Sequence, residues 1–174
     1  MKKRVVKLIV YMVIFLIFAL GALIANNLLK RDNIFDRISY WPDVEVKTTV
    51  GETISTGGLT GQNPVLLIYF NTGCIFCRNM FEEILADGQL QQQAQLVFVS
   101  HEPRKTVAEY RKKTGLDQAN EFIFLHDHKQ KVKDFFGVRS VPATYLYTRE
   151  GNLIRYYRGQ VSVGEIIAEL QMDH

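Results

Sequence analysis

The sequence predicts an α/β domain, a central mixed sheet flanked by helices, carried behind an N-terminal transmembrane helix. Three observations predict it. Residues 8–25 (LIVYMVIFLIFALGALIA) run eighteen positions without a charge. Beyond them, apolar runs of strand length alternate with segments of helical periodicity. The chain then closes on two strand-like runs about a glycine turn and a last amphipathic helix.

With Val5, Val6 and Leu28–Leu29 included, the N-terminal apolar stretch is long enough to cross the roughly 30 Å of bilayer hydrocarbon. Lys7 lies near its end and can snorkel. The flank MKKRVVK is basic and short, so the positive-inside rule keeps it cytoplasmic and puts the rest outside. A cleaved signal peptide is the alternative, since Ala19-Leu20-Gly21 offers small residues to a peptidase. Apolar residues continue past Gly21 as Ala22, Leu23, Ile24 and Ala25, which favours an uncleaved anchor. The reading is an anchor at 1–29, a tether at 30–43 and a folded domain at 44–174. Trp41 and Tyr40 in the tether suit either the membrane interface or packing on the domain edge.

Charge excludes one class of partner. The whole chain carries a formal +3, but four bases fall in the first seven residues, leaving 17 Lys and Arg against 18 Asp and Glu from Lys30 onward. Bases and acids are interleaved there, so no basic face calls for nucleic acid.

Within the domain, Val44–Val50 suggests a short strand, and residues 55–64 form a Gly-rich turn region. Val65–Phe70 (VLLIYF) is a continuous apolar run, the pattern of a strand buried on both faces. Cys74–Asp87 has helical spacing through Phe76, Met80 and Ile84. Leu96–Ser100 is a second buried strand. Thr106–Thr114 is a polar helix closed by Gly115. Glu121–Leu125 is a short strand, and Lys129–Phe136 a helix stopped by Gly137. Thr144–Thr148 and Leu153–Tyr157 flank the turn 149–152, and Val163–Met172 repeats apolar residues at helical spacing.

The only two cysteines are Cys74 and Cys77, spaced Cys-x-x-Cys at the start of the first helix after a buried strand. Two intervening residues on a helical turn bring the sulfurs within bonding distance. The first sulfur then sits where unpaired N–H groups and the helix dipole favour negative charge, and the thiolate is the attacking species. Zinc would need further soft ligands, and His101, His126, His128 and His174 lack matching spacing. A disulfide across so short a loop would stabilise little. Haem attachment would want His where Arg78 stands. A catalytic dithiol remains: Cys74 as nucleophile, Cys77 as the resolving thiol, and Arg78 read as a solvent-facing helix residue. Phe76 is expected at the helix tip, as a partner contact or packed under the loop at 141–142. No cofactor is implied, because both redox equivalents reside on sulfur.

Residues 136–144 (FGVRSVPAT) resemble the thioredoxin segment in which a cis-proline faces the redox cysteines, Pro142 matching that proline. The following TYLYTREGNLIRYYRG resembles the thioredoxin hairpin, with Gly151 at its turn and Gly159 before the last helix. The resemblance covers about 62–172. With the anchor and the insert-like stretch His101–Gly115, it is greatest to the membrane-tethered branch of TlpA- and ResA-like proteins.

What the resemblance implies is a thioredoxin-like fold. It also implies a thiol–disulfide oxidoreductase that reduces disulfides of exported proteins outside the cytoplasmic membrane and is re-reduced by a membrane thiol donor. It implies that Val141 offers its backbone to an extended substrate strand beside the disulfide, with Gly73 and Phe76 flanking the site. Other readings are an oxidase or isomerase of the same fold, a thiol peroxidase, and a redox or metal-delivery module. The peroxidase would want Thr three residues before the cysteine, and Thr72 is two before. The metal-delivery module would want a wider cysteine spacing and a distal His. This chain departs from the family at Gly73 (usually Trp), Phe76 (often Pro), Ile68 (the buried acid of thioredoxin) and Met80 (often Glu in the tethered branch). The usual proton acceptor for the resolving cysteine is therefore missing or displaced. Glu102 and Arg104, near the second buried strand's end, are placed where they could approach the site, and solvated loop residues is the reading preferred for them.

Overall fold

The computed structural model describes residues 2–119 and 121–172. The chain divides into two units, residues 1–37 and 38–174. The first is one helix, α1 (Lys2–Ile38), whose last residue opens the second unit. Its segment Lys7–Asn26 has a mean hydropathy of 2.9, enough to cross a membrane by length and composition. Leu8, Tyr11, Phe15 and Phe18 are exposed along it. Secondary structure does not break at the expected start of the tether: the helix continues to Ile38. From there the chain is bound to the second unit. Ile38 is buried and its carbonyl accepts the Tyr147 hydroxyl (2.7 Å). The Trp41 ring meets Tyr147 edge-on at 5.2 Å, and its Nε1–H donates to the Thr56 carbonyl. Of the two roles offered for Trp41, packing on the domain edge is the one seen.

The second unit is built on a seven-stranded sheet of order β2-β1-β5-β4-β3-β6-β7. The strands are β1 (Glu45–Thr48), β2 (Thr53–Ser55), β3 (Val65–Tyr69), β4 (Gln95–Ser100), β5 (Ile123–His126), β6 (Ala143–Tyr147) and β7 (Leu153–Arg158). The central β3, β4 and β5 are parallel, and every other pairing is antiparallel, which makes the sheet mixed. The helices are α2 (Ile75–Ala86), α3 (Gly88–Gln93), α4 (Arg104–Thr114), α5 (Lys131–Phe136) and α6 (Val163–Met172).

Strand alternation sorts the core into two layers. Leu66, Ile68 and Phe70 share a face with Leu96 and Phe98, and cluster with Cys77, Met80, Phe81 and Ile84 of α2 and Ile166 of α6. Leu67, Tyr69, Val97 and Tyr145 face the other way, where Phe136 of α5 lies 4.3 Å from the Tyr145 ring. That two-sided cover explains why VLLIYF reads as an unbroken apolar run.

The helices stop where the glycines predict. Gly115 (φ 78°) and Gly137 (φ 61°) take the left-handed conformation after α4 and α5. Two elements went unread. β2 is three residues at the sheet edge, between the expected strand at 44–50 and the turn region at 55–64, which only its last residue enters. α3 (GQLQQQ) has one buried apolar residue, Leu90, and therefore no periodicity to find.

Candidate active site

Parallel β3 and β4 end on the same side, and the loops after them build the site. After β3 and Phe70, Asn71–Gly73 turn the chain into α2. The Asn71 side-chain oxygen accepts the Gly73 N–H (2.8 Å) and its carbonyl accepts the Cys74 N–H (3.1 Å). This tight turn leaves Cys74 as the N-cap of α2, in extended backbone (φ −86°, ψ 116°). Its Sγ accepts the Cys77 N–H at 3.3 Å, replacing the oxygen that an N-cap side chain ordinarily supplies.

Cys74 is half-buried and Cys77 fully buried, and both are free thiols. The Cys74 thiol points toward the Val141 carbonyl at 3.5 Å, from the loop that carries Pro142. The Val141–Pro142 peptide is cis. Pro142 is buried, and its carbonyl accepts the Gly159 N–H (2.8 Å), while Ala143 pairs with both Tyr69 and Arg158. The sheet thus fixes the loop at 141–142 beside the sulfurs. Ile75 (48%) and Phe76 (57%) are exposed, and Gly73 is exposed as well. Phe76 is therefore at the helix tip and not packed away. Arg78 faces solvent, in an exposed pair with Glu82 at 3.8 Å.

The departures have visible consequences. Met80 is buried, and its sulfur accepts the Thr144 hydroxyl at 3.9 Å. Ile68, in the place of the acid, is buried and pairs with Thr144 across the sheet. Cys77 therefore sits among apolar neighbours. Burial, more than its hydrogen bond with Cys74, pushes its thiol far above the ordinary value.

Glu102 corrects the sequence reading. It is no solvated loop residue: its carboxylate accepts the Thr72 N–H (2.6 Å), the Thr72 hydroxyl (2.9 Å) and the Ser100 hydroxyl (3.3 Å). It ties the end of β4 to the turn two residues before Cys74. The available signal was a carboxylate just past a buried parallel strand, at the end where α/β sites form. Arg104 begins α4 and is exposed. His126 and His128 lie 5.9 Å apart, but among the described residues no group of three or more His, Cys, Asp or Glu could hold a metal ion. His174 lies outside the described residues.

A strand–turn–helix carrying the dithiol, opposed by a proline loop on a mixed sheet, is the thioredoxin arrangement. The thioredoxin-like domain family matches residues 52–172, and the chain belongs to that family. No curated protein matches it. Among solved structures it is similar to DsbF of Mycobacterium tuberculosis (TM-score 0.64, 20% identity, covering 78% of this chain and 96% of that one). It is similar to a thiol:disulfide interchange protein DsbE of Chlorobium tepidum (0.62, 19%, 76% and 96%). It is also similar to the peroxidoxin BcpB of M. tuberculosis (0.63, 18%, 78% and 96%). At these identities the likenesses establish the fold.

Proposed function

We propose that the chain is a membrane-anchored thiol–disulfide oxidoreductase that reduces disulfides of exported proteins outside the cytoplasmic membrane. The observation that carries this reading is the placement of the two sulfurs. Cys74 is accessible at the N-cap of α2 with its Sγ 3.5 Å from the Val141 carbonyl, and Cys77 is buried one turn further in.

The Cys74 thiolate attacks one sulfur of a substrate disulfide, forming a mixed disulfide and releasing one substrate thiolate, which takes up a proton. Cys77 loses its proton and attacks the Cys74 Sγ. The second substrate thiol leaves, and the chain keeps a Cys74–Cys77 disulfide. The substrate gains two electrons and the pair loses two, so a membrane thiol donor must reverse the same exchange on the oxidised pair. The backbone of Val141 pairs with an extended substrate segment, Phe76 supplies apolar contact, and Gly73 leaves the approach open. Pro142 holds that loop without presenting an N–H. Residues 1–29 serve as an uncleaved anchor, N-terminus inside, and the basic flank supports that direction.

The division of labour is tested on the full chain in detergent with a disulfide-bonded probe such as insulin. Cys77→Ser should accumulate a mixed disulfide through Cys74, and Cys74→Ser should form none. Adducts through Cys77 in the Cys74→Ser variant would reverse the assignment. Turnover of hydrogen peroxide outpacing insulin reduction would favour the peroxidase instead.

A further inference from the structure

The near-neutral total of the second unit conceals an uneven distribution of charge. Residues 38–174 hold 14 Lys and Arg against 16 Asp and Glu. Five of those bases and one of the acids lie on the eleven residues of α4. The rest of the unit is left with nine bases against fifteen acids. The interleaving expected from the sequence does not hold at this helix.

α4 turns most of its charge outward. Val107 is buried, and the Tyr110 ring packs on Phe81 and Phe70. The Arg111 guanidinium lies over the Phe124 ring, 4.2 Å from its centroid. Arg104, Lys105, Lys112 and Lys113 are exposed, with Glu109 among them. Lys105 and Lys112, seven residues apart, fall on one line of the helix. The ion pairs of the unit lie elsewhere, at Arg78–Glu82, Lys131–Glu45, Arg149–Glu150 and Arg155–Glu169. Among the described residues none involves the four exposed bases of α4. Helix stability does not account for all four. Lys112 and Lys113 complement the helix dipole in the last turn, but Arg104 and Lys105 stand in the first, where the dipole disfavours positive charge and no acid offsets them.

We propose that this face of α4 docks on anionic lipid headgroups of the bilayer that holds the anchor. Two observations select this occupant. The apolar segment ends at Asn26, and Ile38 is already buried in the second unit. Even fully extended, the chain between them keeps the unit within about 40 Å of the bilayer, which is thereby present at high effective concentration. The remaining surface is net acidic and is repelled by an anionic leaflet, so α4 is the side that charge admits. α4 begins two residues after Glu102, which is bonded to Thr72 in the turn before Cys74. Lying on α4 therefore keeps the dithiol end of the unit beside the bilayer surface, where a membrane thiol donor has to meet it. This rests on the reading of residues 1–29 as an anchor.

The test places the full chain in nanodiscs of phosphatidylcholine, with and without phosphatidylglycerol. Lysines are acetylated with a water-soluble reagent, and the rate at each is read by peptide mass spectrometry. Lys105, Lys112 and Lys113 should react about fivefold more slowly, or slower still, on the anionic discs. High salt should abolish the difference. Lys129, exposed and away from α4, should react alike on both. In the double variant Lys105→Gln, Lys112→Gln, Lys113 should lose its protection. Equal rates on the two kinds of disc would overturn the proposal, as would slowing of Lys129 to the same extent. Protection of the α4 lysines that is as strong on neutral discs would point to a protein face, a second copy included, and would overturn it too. A chain that does not remain in the discs would defeat the anchor reading before any acetylation is measured, and this proposal with it.

Discussion

Cys77 shares its apolar cluster with Ile68, Phe70 and Met80 and has no exposure to solvent. Its thiol is raised by burial, so the folded state holds the proton more tightly than the unfolded chain does. For a group shifted in that direction, stability is fully present below the unfolded value. It is lost as pH climbs from there toward the folded value. The reduced protein should therefore lose stability above about pH 8.5, by up to about 1.4 kcal/mol per pH unit. Denaturant midpoints of the reduced wild type and of Cys77→Ala, measured from pH 7 to pH 10, check this. The wild type should fall more steeply, and parallel curves would contradict the claim. The cysteines were legible from the sequence because Cys-x-x-Cys after a buried strand is a local pattern. Glu102 was legible only as a carboxylate near the end of the second buried strand, because the contact that gives it its role is long-range: the Thr72 partner is 30 residues away.

Among the elements, the turn between β3 and α2 is held from outside itself. Asn71 caps it locally, and Glu102 fastens it to the end of β4 through a bidentate contact with Thr72. Hydrogen bonds to a charged group contribute about 1.5–3 kcal/mol, so Glu102→Ala should lower unfolding stability by about that amount. It should also slow the attack of Cys74 on an added disulfide, because the turn that presents the sulfur loosens. A variant with wild-type stability and wild-type initial rate would show the contact to be incidental. Elements with a strong internal pattern were legible in this region. β3 is apolar throughout, and α4 and α5 end at glycines whose positive φ the sequence position already implies. β2 and α3 escaped because their stability is lent by neighbours: β2 pairs with β1 alone at the edge, and α3 is anchored by Leu90 and by Asp87, whose carboxylate accepts the N–H groups of Gln89 and Leu90.

At the scale of the molecule, the chain joins a helix with the length and composition to cross a membrane to a thioredoxin-family domain whose dithiol lies at the carboxyl end of the parallel strands. Sheet order could not be read from hydrophobic pattern, which says that a strand is buried but not beside which neighbour. The resemblance around Pro142 supplied the fold instead. The residues of the site support either direction of exchange, and the potential of the Cys74–Cys77 couple decides between them. The most direct measurement equilibrates the full chain in detergent with graded glutathione or dithiothreitol buffers and counts free thiols at each poise. A reversible two-electron couple near that of thioredoxin, about −270 mV, is the result expected of a reductase fed by a membrane donor. A value near −120 mV, about that of a strong disulfide donor, or the absence of any reversible couple, would contradict it.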